Sequence, residues 1–146
     1  MKIRIATHED IEGIYAIEEN SFSKPWSLES MSNDLKNPIA TYIIAEEDNC
    51  VIGYVGVWNV MSEGQITNVA VASAYREKGV GSKLIEGLLE YAKENQLVLL
   101  LLEVRSSNSA AQKLYSKFGF GQLAVRKGYY SHPKEDALIM GLKLKN

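Results

Sequence analysis

Between Gln65 and Val104 the apolar pattern changes period twice, and this restricts the fold more than any other stretch. Gln65 to Ala72 reads as a strand. Gly79 to about Asn95 then places Leu84, Ile85, Leu88, Leu89 and Ala92 on one face of a helix. Leu97 to Val104 follows as a short, continuously apolar run, the pattern of a strand buried on both faces. Strand, long helix and strand in succession allow two parallel strands joined by a right-handed crossover. Upstream, Lys2 to Ala6 alternates as a half-buried strand. Thr7, with Asp10 as an approximate capping box, opens a helix to about Asn20. After Pro25-Trp26, Ser27 has the character of an N-cap for a short helix carrying Leu28, Met31 and Leu35, which stops near Asn37-Pro38. Thr41 to Ala45 and Val51 to Val60 read as strands joined by a polar turn, so the middle third is an antiparallel meander. Ser109 to Phe118 is helical and closed by Gly119; Phe120 to Arg126 and Asp136 to Leu144 supply two last strands.

The 146 residues suit one domain, 1–146, of mixed α/β (α+β) class. Sixteen Lys and Arg stand against eighteen Asp and Glu, so net charge offers no general attraction to nucleic acid or anionic lipid. The longest strongly apolar run, Leu97 to Leu102, is far below the ~20 residues of a spanning helix, and the N-terminus lacks a signal-peptide core. Cys50 alone makes no intrachain disulfide, which fits a reducing compartment; a cytoplasmic protein with no membrane partner is expected. His8 and His132 lack metal-ligand spacing, so no metal is expected. The acids Glu18, Glu19, Glu46, Glu47, Asp48 and Glu63 read as a solvated surface, with complementarity to a basic protein tail as the other reading.

The loop from Ala72 to Gly81 carries the first chemistry. A strand runs through Arg76-Glu77-Lys78-Gly79-Val80-Gly81-Ser82 into a helix, so glycines and unpaired first-turn N–H groups form an anion cradle at the positive helix end. A Walker A loop fails, because Tyr75 and Arg76 stand where its first glycine belongs. A dinucleotide fingerprint is only partly met, with Leu84 at the third glycine. Arg-x-x-Gly-x-Gly after a strand fits at every position. The alternative is that Gly79 and Gly81 merely shape a tight strand-to-helix turn.

That motif, after Ile66-Thr67-Asn68-Val69-Ala70-Val71, resembles the acyl-CoA pyrophosphate loop of the GNAT N-acetyltransferase superfamily. The segment Asn108-Ser-Ala-Ala-Gln-Lys-Leu-Tyr115-Ser-Lys-Phe-Gly119-Phe120 resembles the same superfamily's Asn-x-x-Ala-x-x-Leu-Tyr-x-x-x-Gly-Phe stretch. Phe22-Ser-Lys-Pro-Trp-Ser27, Leu102-Glu-Val-Arg105 and Arg126-Lys-Gly-Tyr-Tyr130 place the likeness nearest the bacterial ribosomal-protein-alanine N-acetyltransferases, the RimI family. The resemblance implies a single domain with a mixed, mostly antiparallel sheet of about seven strands, about four helices and a β-bulge at the cofactor strand. It implies acetyl-CoA as co-substrate and the N-terminal alanine amine of a small-subunit ribosomal protein as acceptor, in a ternary complex without direct nucleic-acid contact.

The residue roles it implies are these. Glu103 takes the amine proton; alternatively it is a surface carboxylate paired with Arg105 or Lys83. Tyr115 protonates the leaving sulfur, or only packs beside Leu114 and Phe118. Val69, Ala70 and Val71 offer backbone groups to the thioester and pantetheine arm, while Arg76, Glu77, Lys78, Gly79, Val80, Gly81 and Ser82 cradle the pyrophosphate. Asn108 meets the cofactor arm, N-caps its helix, or does both. Trp26, Tyr129 and Tyr130, on loops, line an acceptor groove or act as core lids. Two rival functions remain: acetylation of a small free amine, and a non-catalytic acyl-CoA-binding module.

Overall fold

The computed structural model describes residues 1–22 and 24–144; Ser23, within the Phe22-to-Ser27 motif, lies outside them. Strand β1 (Lys2–Ile5) leads through a 3-10 turn to helix α1 (Ile11–Ser21), then α2 (Leu28–Leu35). Ser27 N-caps α2, its hydroxyl accepting from the Ser30 N–H at 3.0 Å. The meander follows as β2 (Ala40–Glu47), β3 (Cys50–Val60) and β4 (Glu63–Val71). Helix α3 (Val80–Glu94), β5 (Leu99–Arg105), α4 (Ser109–Lys117), β6 (Gly121–Ser131) and β7 (Lys134–Lys143) complete the chain. One seven-stranded sheet has the order β1-β2-β3-β4-β5-β7-β6. Among the described residues only β4 and β5 pair in parallel, across the α3 crossover; the other neighbours are antiparallel.

Alternation along the strands feeds two cores. Ile43, Ala45, Val55 and Val57 point to α3, where Leu84, Ile85, Leu88 and Ala92 meet Leu97, Leu100 and Leu102. Tyr42, Ile44 and Tyr54 point to the opposite face, beneath Ile14 and Ile17 of α1 and Met31 of α2. Each fully buried leucine or isoleucine contributes about 1.5–3 kcal/mol, so α3 is the main clamp on the sheet.

Two sequence expectations change. β5 is not buried on both faces: Leu100, Leu102 and Val104 are buried, Leu99 and Leu101 are only partly covered, and Glu103 is exposed. Strand β6 does not end at Arg126 but continues to Ser131 after an irregularity between Arg126 and Tyr130, so Tyr129 and Tyr130 lie on a strand. Gly128 supplies the kink at φ +62°, its N–H donating to Asp136 at 2.8 Å.

Candidate active site

The parallel pair is short. Glu63, Gly64 and Gln65 face Leu99, Leu100 and Leu101, and the strands then part. The cause lies on the other side of β4: Gly56 faces Asn68 and Val57 faces Ile66, leaving Thr67 as the extra residue of a β-bulge. A bulge bends its strand and leaves backbone groups outside the ladder. The bulge expected at the cofactor strand is therefore present. Between the parted strands opens a cleft of about 470 Å³, into which Val69, Glu103, Asn108 and Tyr115 converge with Trp26, Tyr129 and Tyr130.

Glu103 stands exposed at the end of β5, opposite Ile139. The two cations that might have paired with it are engaged elsewhere: Arg105 with Glu135 at 3.3 Å and Lys83 with Glu86 at 3.8 Å. Its neighbour is instead Tyr129, whose pKa the nearby Glu103 carboxylate holds above the usual phenol value. Tyr129 and Tyr130 meet edge to face at 5.1 Å, and the Arg105 guanidinium lies 4.2 Å from the Tyr130 ring centre. Glu135 anchors that arrangement, accepting from the Ser107 N–H at 2.5 Å and the Ser106 hydroxyl at 3.1 Å. The β6–β7 hairpin is thus tied to the end of β5, and its two tyrosines are held over the cleft.

Tyr115 is buried on α4 against Phe120, with ring centres 5.6 Å apart. Burial, with a smaller contribution from Tyr130, pushes its pKa well above that of a free phenol, so it enters the cleft as a protonated donor. Asn108 does cap α4: Oδ1 accepts from the Ala111 N–H at 3.1 Å, which leaves the amide NH₂ as its donor toward the cleft.

The glycine loop lies at the far end of β4. Glu77 (φ +61°) and Gly79 (φ +82°) are both left-handed, and alternating left- and right-handed residues turn successive N–H groups toward one point. The first intrahelical bond of α3 runs from the Lys83 N–H to the Gly79 carbonyl at 3.1 Å, so the amides of Val80, Gly81 and Ser82 open the helix without an intrahelical partner. A Cβ on Gly79 would enter open space, whereas one on Gly81 would sit 3.1 Å from Leu114 Cδ2. Gly79 therefore serves the backbone turn, and Gly81 the approach of α3 to α4.

The loop side chains are less uniform than the sequence predicts. Val80 is buried in the core and offers only its amide. Arg76 turns back, donating from Nε to the Val71 carbonyl at 3.1 Å, and faces a separate groove beside α1. Lys78 leans over the Tyr75 ring at 5.8 Å. A cation outside the motif reaches the start of α3: Lys117 Nζ lies 3.2 Å from Ser82 Oγ. Glu18 also departs from the sequence expectation. It is 1% exposed and lies in the cleft wall, not on the solvated surface. The clue was its spacing, four residues after Ile14 and one after Ile17, which puts it on the apolar stripe of α1.

Residues 11–120 match the model of the acetyltransferase (GNAT) family. This chain belongs to the GNAT family. It is 32% identical over 145 residues to the ribosomal protein bS18-alanine N-acetyltransferase of Haemophilus ducreyi, covering 97% of this chain and 99% of that one. A Bacillus subtilis protein provisionally named for the same activity is 45% identical over 133 residues, 90% of this chain and 88% of that one. The crystal structure of the ribosomal-protein-S18-alanine N-acetyltransferase from Escherichia coli superposes with a TM-score of 0.92 at 28% identity, covering 99% of this chain and 94% of that one.

GNAT acetyltransferases use acetyl-CoA, which supplies an activated acetyl thioester. The residues present fit it. The α3 amides and the open space at Gly79 suit a diphosphate, and the parting of β4 from β5 opens the cleft that holds Glu103 and Tyr115. Among the described residues no group of three or more His, Cys, Asp or Glu is arranged to hold a metal ion, and no helix is long and apolar enough to cross a membrane.

Proposed function

We propose that this GNAT enzyme acetylates the N-terminal alanine amine of the small-subunit ribosomal protein bS18. The observation that carries the reading is the Glu103 carboxylate, exposed between the parted strands and roofed by Tyr129 and Tyr130 beside the Tyr115 phenol. An α-ammonium group has a pKa of about 7.7–8.0, so only a tenth to a fifth of it is neutral at pH 7. Glu103 accepts the proton leaving the nitrogen. Tyr115 gives its hydroxyl proton to the departing sulfur, and backbone N–H groups around Val69 and Val71, freed by the bulge, stabilise charge on the thioester oxygen. Val80, Gly81 and Ser82 bind the diphosphate through their amides, assisted by Lys117. Trp26, Tyr129 and Tyr130 form the walls that orient a peptide N-terminus. The name carried by the relatives of similar length supports the alanine acceptor.

Incubating the protein with acetyl-CoA and a peptide beginning Ala-Arg should add one acetyl group at the α-amine, detected by mass spectrometry. Transfer to polyamines or amino sugars but not to the peptide would refute the acceptor assignment. Coenzyme A binding without transfer to any amine would indicate a binding module. Glu103→Gln should lower turnover by about 10²-fold or more while acetyl-CoA affinity stays nearly unchanged; wild-type turnover would remove Glu103 from the chemistry.

A further inference from the structure

The last turn of α1 sets Glu18 into the cleft wall, where both carboxylate oxygens are engaged. Oε1 accepts from the Tyr54 hydroxyl on β3 and, at 2.9 Å, from the Asn68 side-chain amide on β4. Oε2 accepts from the Trp26 backbone N–H at 3.0 Å. These three donors are neutral and come from three separate parts of the chain. Asn68 also passes the connection on: its Oδ1 accepts from the Thr67 hydroxyl at 2.8 Å, and Thr67 is the extra residue of the β4 bulge.

A carboxylate withdrawn from water is costly to the fold, and an apolar side chain of similar volume fills the same space at lower cost. A carboxylate does have one property the substitutes lack. It is an acceptor only, with two oxygens, and so holds three donors at once; a glutamine carbonyl serves two, and its NH₂ opposes the third.

We infer that Glu18 is a positioning residue for acetyl transfer. It ties the Trp26 segment, which walls the acceptor side, to the β4 bulge, which carries the backbone groups of the acetyl-donor side. The tie sets the spacing across which amine and thioester meet, and an error of about 1 Å in such spacing costs about 10²-fold in rate. The inference rests on the assignment of this cleft to acetyl transfer.

Glu18→Gln in the full chain keeps the side-chain size and the acceptor for Tyr54 and Asn68, but turns an NH₂ toward the Trp26 N–H. Without ligand, amide hydrogen exchange should accelerate together at Trp26 and at residues 67–69, by about tenfold. With acetyl-CoA and an amine that the wild type acetylates, kcat should fall by roughly thirtyfold, and KM for acetyl-CoA should change by less than about threefold. Ile14→Val, on the same helix and fully buried, is the control for lost stability and should leave kcat unchanged. A Glu18→Gln kcat within about twofold of wild type, or faster exchange at Trp26 alone, would overturn the inference. If that variant does not fold, Asn68→Ser, which removes one donor and the link to Thr67, must lower kcat; wild-type kcat in it overturns the inference equally. Failure of the wild type on the Ala-Arg peptide counts against the acceptor alone, because the exchange measurement and the variant-to-wild-type ratio depend on no particular amine.

Discussion

Gly79 caps α3 at φ +82°, ψ 6°, with nothing within 4 Å of where a Cβ would stand. Gly79→Ala thus strains the backbone without a packing clash. A non-glycine residue in the left-handed region costs about 1 kcal/mol or slightly more. With a melting entropy near 2.1 cal/mol/K per residue, roughly 0.3 kcal/mol/K for a chain of this length, Tm should fall by about 3 °C. The added methyl also extends into the open space at the start of α3, where a diphosphate held by these amides would lie. A hydrogen bond from such an amide to a charged phosphate is worth about 1.5–3 kcal/mol, so displacing one weakens coenzyme A binding roughly tenfold to a hundredfold. Gly81→Ala is the contrast. Gly81 lies within the helix, where alanine gains about 1 kcal/mol in propensity, against a 3.1 Å approach to a mobile Leu114 methyl. Its Tm should stay within about 2 °C of wild type and its affinity within about threefold. Calorimetric melting and titration with coenzyme A measure both quantities. Gly79→Ala protein that loses stability yet binds like wild type would place the diphosphate away from these amides.

Tyr115→Phe keeps the ring packed on Phe120 and removes only the hydroxyl, so stability should hold while the acetyl-transfer rate falls by about 10²-fold; an unchanged single-turnover rate would exclude Tyr115 from the chemistry. Stability against pH should have two edges. Arg4 bonds to Asp10 (2.8 and 2.9 Å) and holds its carboxyl below the ordinary value of 3.8. The folded pKa is therefore the lower one: this contribution is complete above about pH 4 and lost as pH falls toward the folded value. Tyr42, Tyr54 and Tyr115 are raised by burial foremost, so their contribution is complete below about pH 10 and lost as pH rises beyond it. Urea melts across pH should show both edges, and Arg4→Met should flatten the acidic one; an acidic limb unchanged in that variant would refute the assignment.

The crossover was legible because it depends on local pattern. Leu84, Ile85, Leu88 and Ala92 recur at helical spacing, Gly79 marks the helix start, and Gly119 at φ +97° marks the end of α4. The continuation of β6 was not legible. Lys127-Gly128-Tyr129-Tyr130 breaks strict alternation, and pairing resumes only because β7 is there to receive it after the kink. Lys117 gave no signal of its own, since its approach to Ser82 depends on how closely α4 packs on α3 at Gly81. Glu18 did carry one, as an acid at an apolar-stripe position, but its three donors lie 8, 36 and 50 residues away.

From the order of residues alone came the strand–helix–strand unit, its glycine loop, and an acid at the end of the second strand. These are set by backbone preference and hydrophobic period, which act between near neighbours in the chain. Folding in three dimensions decided how far β4 and β5 part, which side chains face one another across the gap, and that Glu18 is enclosed in the wall. Those outcomes follow from one extra residue at Thr67 and from packing between distant segments, whose distances no local pattern contains.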